Sequence, residues 1–445
     1  MTTPICDFVA QYKEKNVHRL HMPGHKGAAL LGMEAMDLTE IEGADSLYDA
    51  HGIIRESEEN ASSLFGARTF YSTEGSSLCI RAMLYLVCRY AAESGKRARI
   101  LAARNAHKSF LSGIALLDIE VDWLTSDTPS YLSCTPSAEL LEKTLSDMEE
   151  LPTALYLTSP DYLGFVADIR ALAKVCHKHG VLLLVDNAHG AYLKFLPESA
   201  HPIDLGADMC CDSAHKTLPA LTGAAYLHVS SNAPALFTND AKSALSLFGS
   251  TSPSYLILQS LDALNRYLSE AFSQKLADFC REVEACKKAL RAHGFSIIGH
   301  EPTKITIAPK SYGYDGYALA SYLAEKGLIC EFADPDFVVL MLTPENGIDA
   351  TEAVQKALTS LEPRTPILAF PPAFCAPLRV LSPREALLRP SEEIATEEAA
   401  GRILSDLSLS CPPAVPLAVS GEKLSADVLR AFAYYGIKKC RVIKE

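Results

Sequence analysis

The sequence predicts an α/β protein with a large domain built on a mostly parallel sheet, and three observations carry that expectation. Short apolar runs alternate with helix-patterned stretches between about residues 69 and 229. One run, Val181-Leu182-Leu183-Leu184-Val185, is apolar throughout, as a strand covered on both faces must be. Polar residues stand directly after several runs, at the carboxyl edge where open α/β sheets bind ligands.

In chain order, residues 1–60 are polar and glycine-rich, with a basic turn at His21-Met22-Pro23-Gly24-His25-Lys26-Gly27 and an acidic loop at Ile41-Glu42-Gly43-Ala44-Asp45-Ser46-Leu47. A segment this irregular needs another surface to fold on, which points to a partner subunit. Residues 56–64 read as a helix, 69–72 as a brief strand and 78–92 as a long helix with an apolar stripe. Thr73-Glu74-Gly75-Ser76-Ser77 precedes that helix; its amides and hydroxyls suit a phosphate, although Ser76 or Ser77 also suits a plain N-cap.

Residues 99–103 read as the next strand, followed by Arg104-Asn105-Ala106-His107-Lys108-Ser109. A histidine at a strand's carboxyl end, here His107, is placed to lie on a planar ligand. Residues 153–159 form another strand ending in the polar loop 160–164, and Asp168 caps a helix reaching about His179. Cys176-His177-Lys178-His179 reads as the basic end of that helix rather than as a zinc site. Beyond a strand at 223–229, the hydroxyl-rich turn Ser250-Thr251-Ser252-Pro253-Ser254 opens a helix to about 272, and a long helix follows over 274–293. Short strands near Ile305 and Val338 with a helix at 317–326 suggest a small α+β domain, and the proline-rich stretch 363–383 a linker. The expected organisation is an arm over 1–60, the large domain over 61–290, the α+β domain over 291–370 and a C-terminal domain over 371–445.

Composition narrows the function. With 48% hydrophobic and 21% charged residues, the 445-residue chain reads as a soluble globular protein. A net charge of −13 and no basic stripe argue against nucleic acid, and no apolar run approaches a membrane span. Thirteen scattered cysteines, with no Cys-x-x-Cys pair, suit reduced thiols in a cytoplasmic protein.

The most informative stretch is Asp212-Ser213-Ala214-His215-Lys216-Thr217-Leu218-Pro219. A lysine at the end of an apolar run becomes a nucleophile towards an aldehyde when burial or nearby positive charge lowers its pKa. Ser213 and His215 beside it suit a phosphate. Pyridoxal phosphate combines an aldehyde, a phosphate and a ring nitrogen that needs a carboxylate. Asp186, at the end of the 181–185 run, supplies that carboxylate, and His189 follows close enough to lie along the cofactor's edge.

Taken in order, His21–Gly27, Arg104–Ser109, Asp186-Asn187-Ala188-His189-Gly190, Ser213–Thr222, Thr251-Ser252-Pro253-Ser254-Tyr255 and Ser382-Pro383-Arg384-Glu385-Ala386 resemble the Orn/Lys/Arg decarboxylase family, in its short form without an N-terminal wing domain. The resemblance spans about residues 4–425. It implies pyridoxal-phosphate fold type I with a seven-stranded sheet, and decarboxylation of arginine, lysine or ornithine to an amine that feeds polyamine synthesis. It implies Lys216 as the cofactor-binding lysine, Asp186 at the ring nitrogen, His107 stacked on the ring and His189 along its edge. It further implies a phosphate held by Ser76, Ser77, Ser213 and His215, with Thr251 or Ser252 reaching in from the second subunit of a homodimer.

Lys216 or His215 would return a proton to the substrate, and Glu422, or Asp45 from a partner's loop, would receive its distal cation. Three features depart from the family pattern: Glu74 stands for an asparagine, Asn187 for a glutamate, and 412–416 with 420–422 alter a proline-glycine pattern. Transamination or elimination on the same cofactor, or a non-catalytic protein of this fold, remain the alternatives. A transaminase typically clamps the α-carboxylate with arginine, whereas the small domain offers lysines such as Lys304 and Lys310.

Overall fold

The computed structural model describes residues 1–15, 17–127, 131, 133–410 and 415–444. Its principal strands are β1 (Arg68–Ser72), β2 (Arg99–Ala103), β3 (Glu120–Leu124), β4 (Ala154–Thr158), β5 (Leu182–Asp186), β6 (Met209–Asp212) and β7 (Ala225–Val229). They belong to a seven-stranded sheet of order β1-β7-β6-β5-β4-β2-β3. Strands β2, β3 and β4 pair in parallel, as do β5 and β6, while β7 runs antiparallel to both β1 and β6. The chain divides into two compact units, Met1–Arg97 with Cys176–Lys275 and Ala98–Val175 with Leu276–Glu445.

In the first unit, strands β5 and β7 are buried at every position, which explains their uninterrupted apolar character. Three helices are central to it: α1 (Pro4–Glu14), α2 (Ile53–Phe65) and α3 (Ser76–Glu93). The beginning of the arm corrects the sequence reading, because α1 is a regular helix. Pro4 starts it, Ile5 and Val9 bury one stripe, and the Ile5 and Cys6 amides each donate to Asp262 at 2.9 Å. Among its described residues, the rest of the arm has only short 3-10 turns before α2, and it exposes Leu20, Leu30 and Leu31.

In the second unit, α4 (Lys108–Leu117) follows β2. A four-stranded antiparallel sheet includes Lys304–Ala308 and Val338–Met341, and it packs with Gly316–Glu325 around Phe295, Leu319 and Leu358. The C-terminal part pairs Ser391–Ala395 with Lys439–Ile443 beside the helix Ala426–Tyr434. Ser382-Pro383-Arg384-Glu385-Ala386, one of the motifs behind the resemblance, forms a helix start: Ser382 and Glu385 make a reciprocal cap, and Arg384 donates to the Ala115 and Leu116 carbonyls at the end of α4. The 412–416 departure lies outside the described residues up to position 414.

Candidate active site

Adjacent parallel strands β5 and β6 end on Asp186 and Asp212, with Asp186 paired to Cys211 in register. Parallel pairing therefore delivers Asp186 and the segment beginning at Ser213 to the same edge of the sheet. Asp186 and Ser213 are both 2% exposed. The Asp186 carboxylate accepts the Ala188 amide at 3.2 Å, which fixes its rotamer at the strand end.

The cradle beside it comes from α3. Ser76 is the first residue of that helix, and Ser213 Oγ donates to Ser76 Oγ at 2.8 Å. Two hydroxyls thus meet at a helix N-terminus, where unsatisfied amides and the helix dipole favour an anion. Glycine is required on both sides of the turn. Gly75 has φ +71°, and its amide donates to the Gly223 carbonyl at 2.8 Å. Gly223 has φ +98°, and a Cβ there would lie 2.8 Å from the Thr73 carbonyl oxygen.

Lys216 is half-buried in the short helix Ala214–Thr217, and its Nζ lies 3.0 Å from His189 Nε2. The structure therefore joins two residues that the sequence separates. His215 Nδ1 donates to the Ala224 carbonyl at 2.9 Å, which orients the ring. Ser77 is the second residue of α3. A strand-end carboxylate, a paired-hydroxyl helix start and a lysine amine meet the three needs of pyridoxal phosphate: ring nitrogen, phosphate and aldehyde.

Thr251 and Ser252 are exposed in the turn after the helix Ala235–Phe248. Glu74 accepts the Ser250 amide at 2.5 Å, so this carboxylate organises that turn. Asn187, the second departure, donates through Nδ2 to Asp212 Oδ1 at 2.6 Å.

Asp45 and Glu422 both have partners within the chain. Asp45 accepts the amides of Ser46, His51, Gly52 and Ile54 at 2.8–3.1 Å and so caps the start of α2. Glu422 is 1% exposed and takes Arg104 in a bidentate pair at 2.6 and 2.8 Å, with the Val419 amide as a third donor. Its charge is already compensated by Arg104, which also lies over the Trp123 ring at 4.8 Å. His107, in this second unit, is the N-cap of α4, and its Nδ1 accepts the Ser109 amide at 3.2 Å. Lys304 pairs with Glu301 and Lys310 with Asp336, each at 2.7 Å.

Sequence reading missed the network behind the strand ends. Asp212, His201 and His228 are wholly buried; both histidines donate through Nε2 to Asp212 Oδ2 at 3.1 Å, and Thr69 Oγ1 meets the other nitrogen of His228 at 2.9 Å. Burial pushes the Asp212 carboxyl up, but the charge and hydrogen bonds of His201 and His228 outweigh it and hold the group well below the usual carboxylate range. His201, Cys210 and Asp212 would also suit a metal by residue type, yet Asp212 Oδ2 already serves both histidines. The only sequence signal was an aspartate with two histidines flanking apolar runs, a pattern without a spacing rule.

The fold and these residues define a pyridoxal-phosphate enzyme of fold type I. The Orn/Lys/Arg decarboxylase major-domain profile matches residues 3–308, and the chain belongs to that family of amino-acid decarboxylases. The Bacillus subtilis protein YaaO, described as uncharacterised, is 32% identical over 96% of this chain and 93% of its own. Arginine decarboxylase from Halalkalibacterium halodurans is 29% identical over 96% of this chain and 92% of its own. Among solved structures, the constitutive lysine decarboxylase of Escherichia coli has a TM-score of 0.78 at 20% identity, covering 100% of this chain and 82% of that one. Pyridoxal phosphate is the cofactor and a basic amino acid the substrate. Among the described residues, no helix is long and apolar enough to cross a membrane.

Proposed function

We propose that this enzyme decarboxylates arginine to carbon dioxide and the corresponding amine, with Lys216 as its cofactor-binding lysine. The observation that carries this reading is the joint placement of Asp186, Ser76–Ser213 and Lys216–His189 at one sheet edge. The arginine decarboxylases at 29% identity support the choice of substrate within the family.

When bound, pyridoxal phosphate supplies the electron sink for the pair left as carbon dioxide departs. Asp186 holds a proton on the ring nitrogen, which its burial at the strand end favours by excluding water. Ser76, Ser77, Ser213 and His215 bind the phosphate. Lys216 returns a proton to the substrate α-carbon, and His189 Nε2, 3.0 Å from Nζ, positions the amine and exchanges protons with it. His107 takes the ring-stacking role implied by its motif. The pairing of Lys304 and Lys310 with acidic partners disfavours either as a clamp on the α-carboxylate, as transamination would need.

The assembly we propose is a homodimer in which a second copy covers Leu20, Leu30 and Leu31 and contributes Thr251 or Ser252 to the phosphate. Its setting is cytoplasmic, and its product enters polyamine synthesis.

The test is release of carbon dioxide and amine from arginine, lysine and ornithine with added pyridoxal phosphate. Arginine turnover that falls at least a thousandfold in Lys216→Ala, together with loss of the lysine-bound cofactor's visible absorbance, is the expected result. Turnover of lysine or ornithine instead would reassign the substrate, and keto-acid formation would replace the reaction type.

A further inference from the structure

The ring-nitrogen carboxylate and the phosphate serine stand on different strands, so their separation depends on whatever ties the ends of β5 and β6 together. Backbone pairing reaches only to the Asn187 amide, which donates to the Cys211 carbonyl at 3.0 Å. One step further, Asn187 Nδ2 donates to Asp212 Oδ1 at 2.6 Å, a shorter side-chain tie between the two ends than the 3.7 Å contact of Cys211 Sγ with Asp186 Oδ1. Asn187 immediately follows Asp186, and Asp212 immediately precedes Ser213. Each member of the tie is therefore one peptide away from a cofactor-binding residue.

The tie is anchored from behind. His201 precedes the helix Pro202–Leu205, and His228 lies within β7; each donates to the second Asp212 oxygen at 3.1 Å. Asn187, His201, Asp212 and His228 all have zero exposure. In such a place the carboxylate has no water to turn towards, and its rotamer follows its donors. The Asn187 side chain is fixed too: a Cβ on Gly190 would lie 2.0 Å from Asn187 Oδ1, so only glycine at 190 leaves it room.

We propose that Asn187 and Asp212 are positioning residues that set the distance between Asp186 and the Ser213–Lys216 segment, and so tune cofactor affinity and geometry without touching the cofactor. This rests on the cofactor residues assigned above. It also gives the asparagine at 187 a function: a glutamate there would bring a second carboxylate to Asp212, whereas the amide donates to it.

The experiment titrates pyridoxal phosphate into resolved enzyme and records Kd, the visible circular dichroism per bound cofactor and the melting temperature without cofactor. Asn187→Ala should bind about tenfold more weakly, the loss expected for one hydrogen bond to a charged group, with an altered visible dichroism. Asp212→Asn keeps the shape but turns an amide N–H donor towards Asn187 or the two histidines in place of an acceptor, so its Kd should rise by at least about threefold. If Asn187→Ala does not fold, this isosteric variant decides.

Val9→Ala, a core lesion in α1, should lower the melting temperature and leave Kd and dichroism unchanged. Asn187→Ala and Asp212→Asn that merely melt earlier, with Kd within twofold and an unaltered dichroism, would overturn the proposal. Absence of a visible band in the unaltered enzyme would overturn the cofactor-residue assignment itself, and this inference with it; the two failures are thus distinct.

Discussion

Asp212 in the first unit and Glu422 in the second are buried carboxylates whose charge is met in opposite ways. Asp212 shares its charge among Asn187, His201 and His228, which come from three separate parts of the unit. Glu422 has one charged partner, Arg104, in a bidentate pair, with a backbone amide beside it. The distributed arrangement tolerates loss of one donor because two remain, and it constrains several elements at once. The single ion pair concentrates its stabilisation in one contact, and losing either member leaves a charge stranded away from water.

The widest expected separation between them is in stability. Arg104→Ala should cost about 3–5 kcal/mol, since it strands Glu422, whereas Asn187→Ala should cost about 1–3 kcal/mol for its single hydrogen bond. Urea unfolding of the two variants measures both. The comparison sharpens in the double variant Arg104→Met with Glu422→Gln, which removes both charges and should recover most of the loss. A double variant no more stable than Arg104→Ala would show that shape, rather than charge compensation, dominates this contact.

A third buried carboxylate, Asp161, extends the comparison to one whose charge is poorly compensated. Burial pushes its pKa up to about 6, against the opposing hydrogen bonds from Ser133 and the Phe165 amide. The folded state then holds this proton more tightly than the unfolded chain does. Its contribution to stability is fully present below about pH 4 and declines as pH rises through about 6. Asp161→Asn should remove that decline, so the urea midpoint of the unaltered protein should fall more steeply between about pH 4 and 6 than that of the variant. Parallel profiles would show that Asp161 titrates alike in both states.

These cases also show what was legible in the sequence. Strands β2 and β5 were visible because burial on both faces requires unbroken apolar runs, and Lys216 and Asp186 were visible because chemistry accompanies strand ends. The regular α1 was obscured by the polar, turn-rich segment that follows it, since its stability comes from packing Ile5 and Val9 and from Asp262, more than two hundred and fifty residues away. The Arg104–Glu422 pair was invisible for the same reason: 318 residues separate its members, and nothing local to Glu422 distinguishes a paired carboxylate from a substrate-binding one. Asn187 was legible only as a departure from a motif; its purpose required the neighbouring strand.

The smallest effect belongs to Asp45, where backbone amides do the work that Arg104 does for Glu422. Burial pushes this carboxyl up, but the hydrogen bonds from His51, Gly52 and Ser46 outweigh it and leave the pKa below the usual carboxylate range. Its stabilisation is therefore present above the unfolded value of about 3.9 and lost as pH falls through the lower folded value. Asp45→Ala should cost about 1 kcal/mol, the usual worth of a helix cap, and Asp45→Asn only a few tenths because asparagine accepts the same amides. A substrate role predicts another pattern, since neutralising a carboxylate that receives a guanidinium raises KM even where the fold is intact. Asp45→Asn with KM for arginine within twofold of the unaltered enzyme would confine Asp45 to capping, whereas a tenfold rise at unchanged stability would return it to the substrate site.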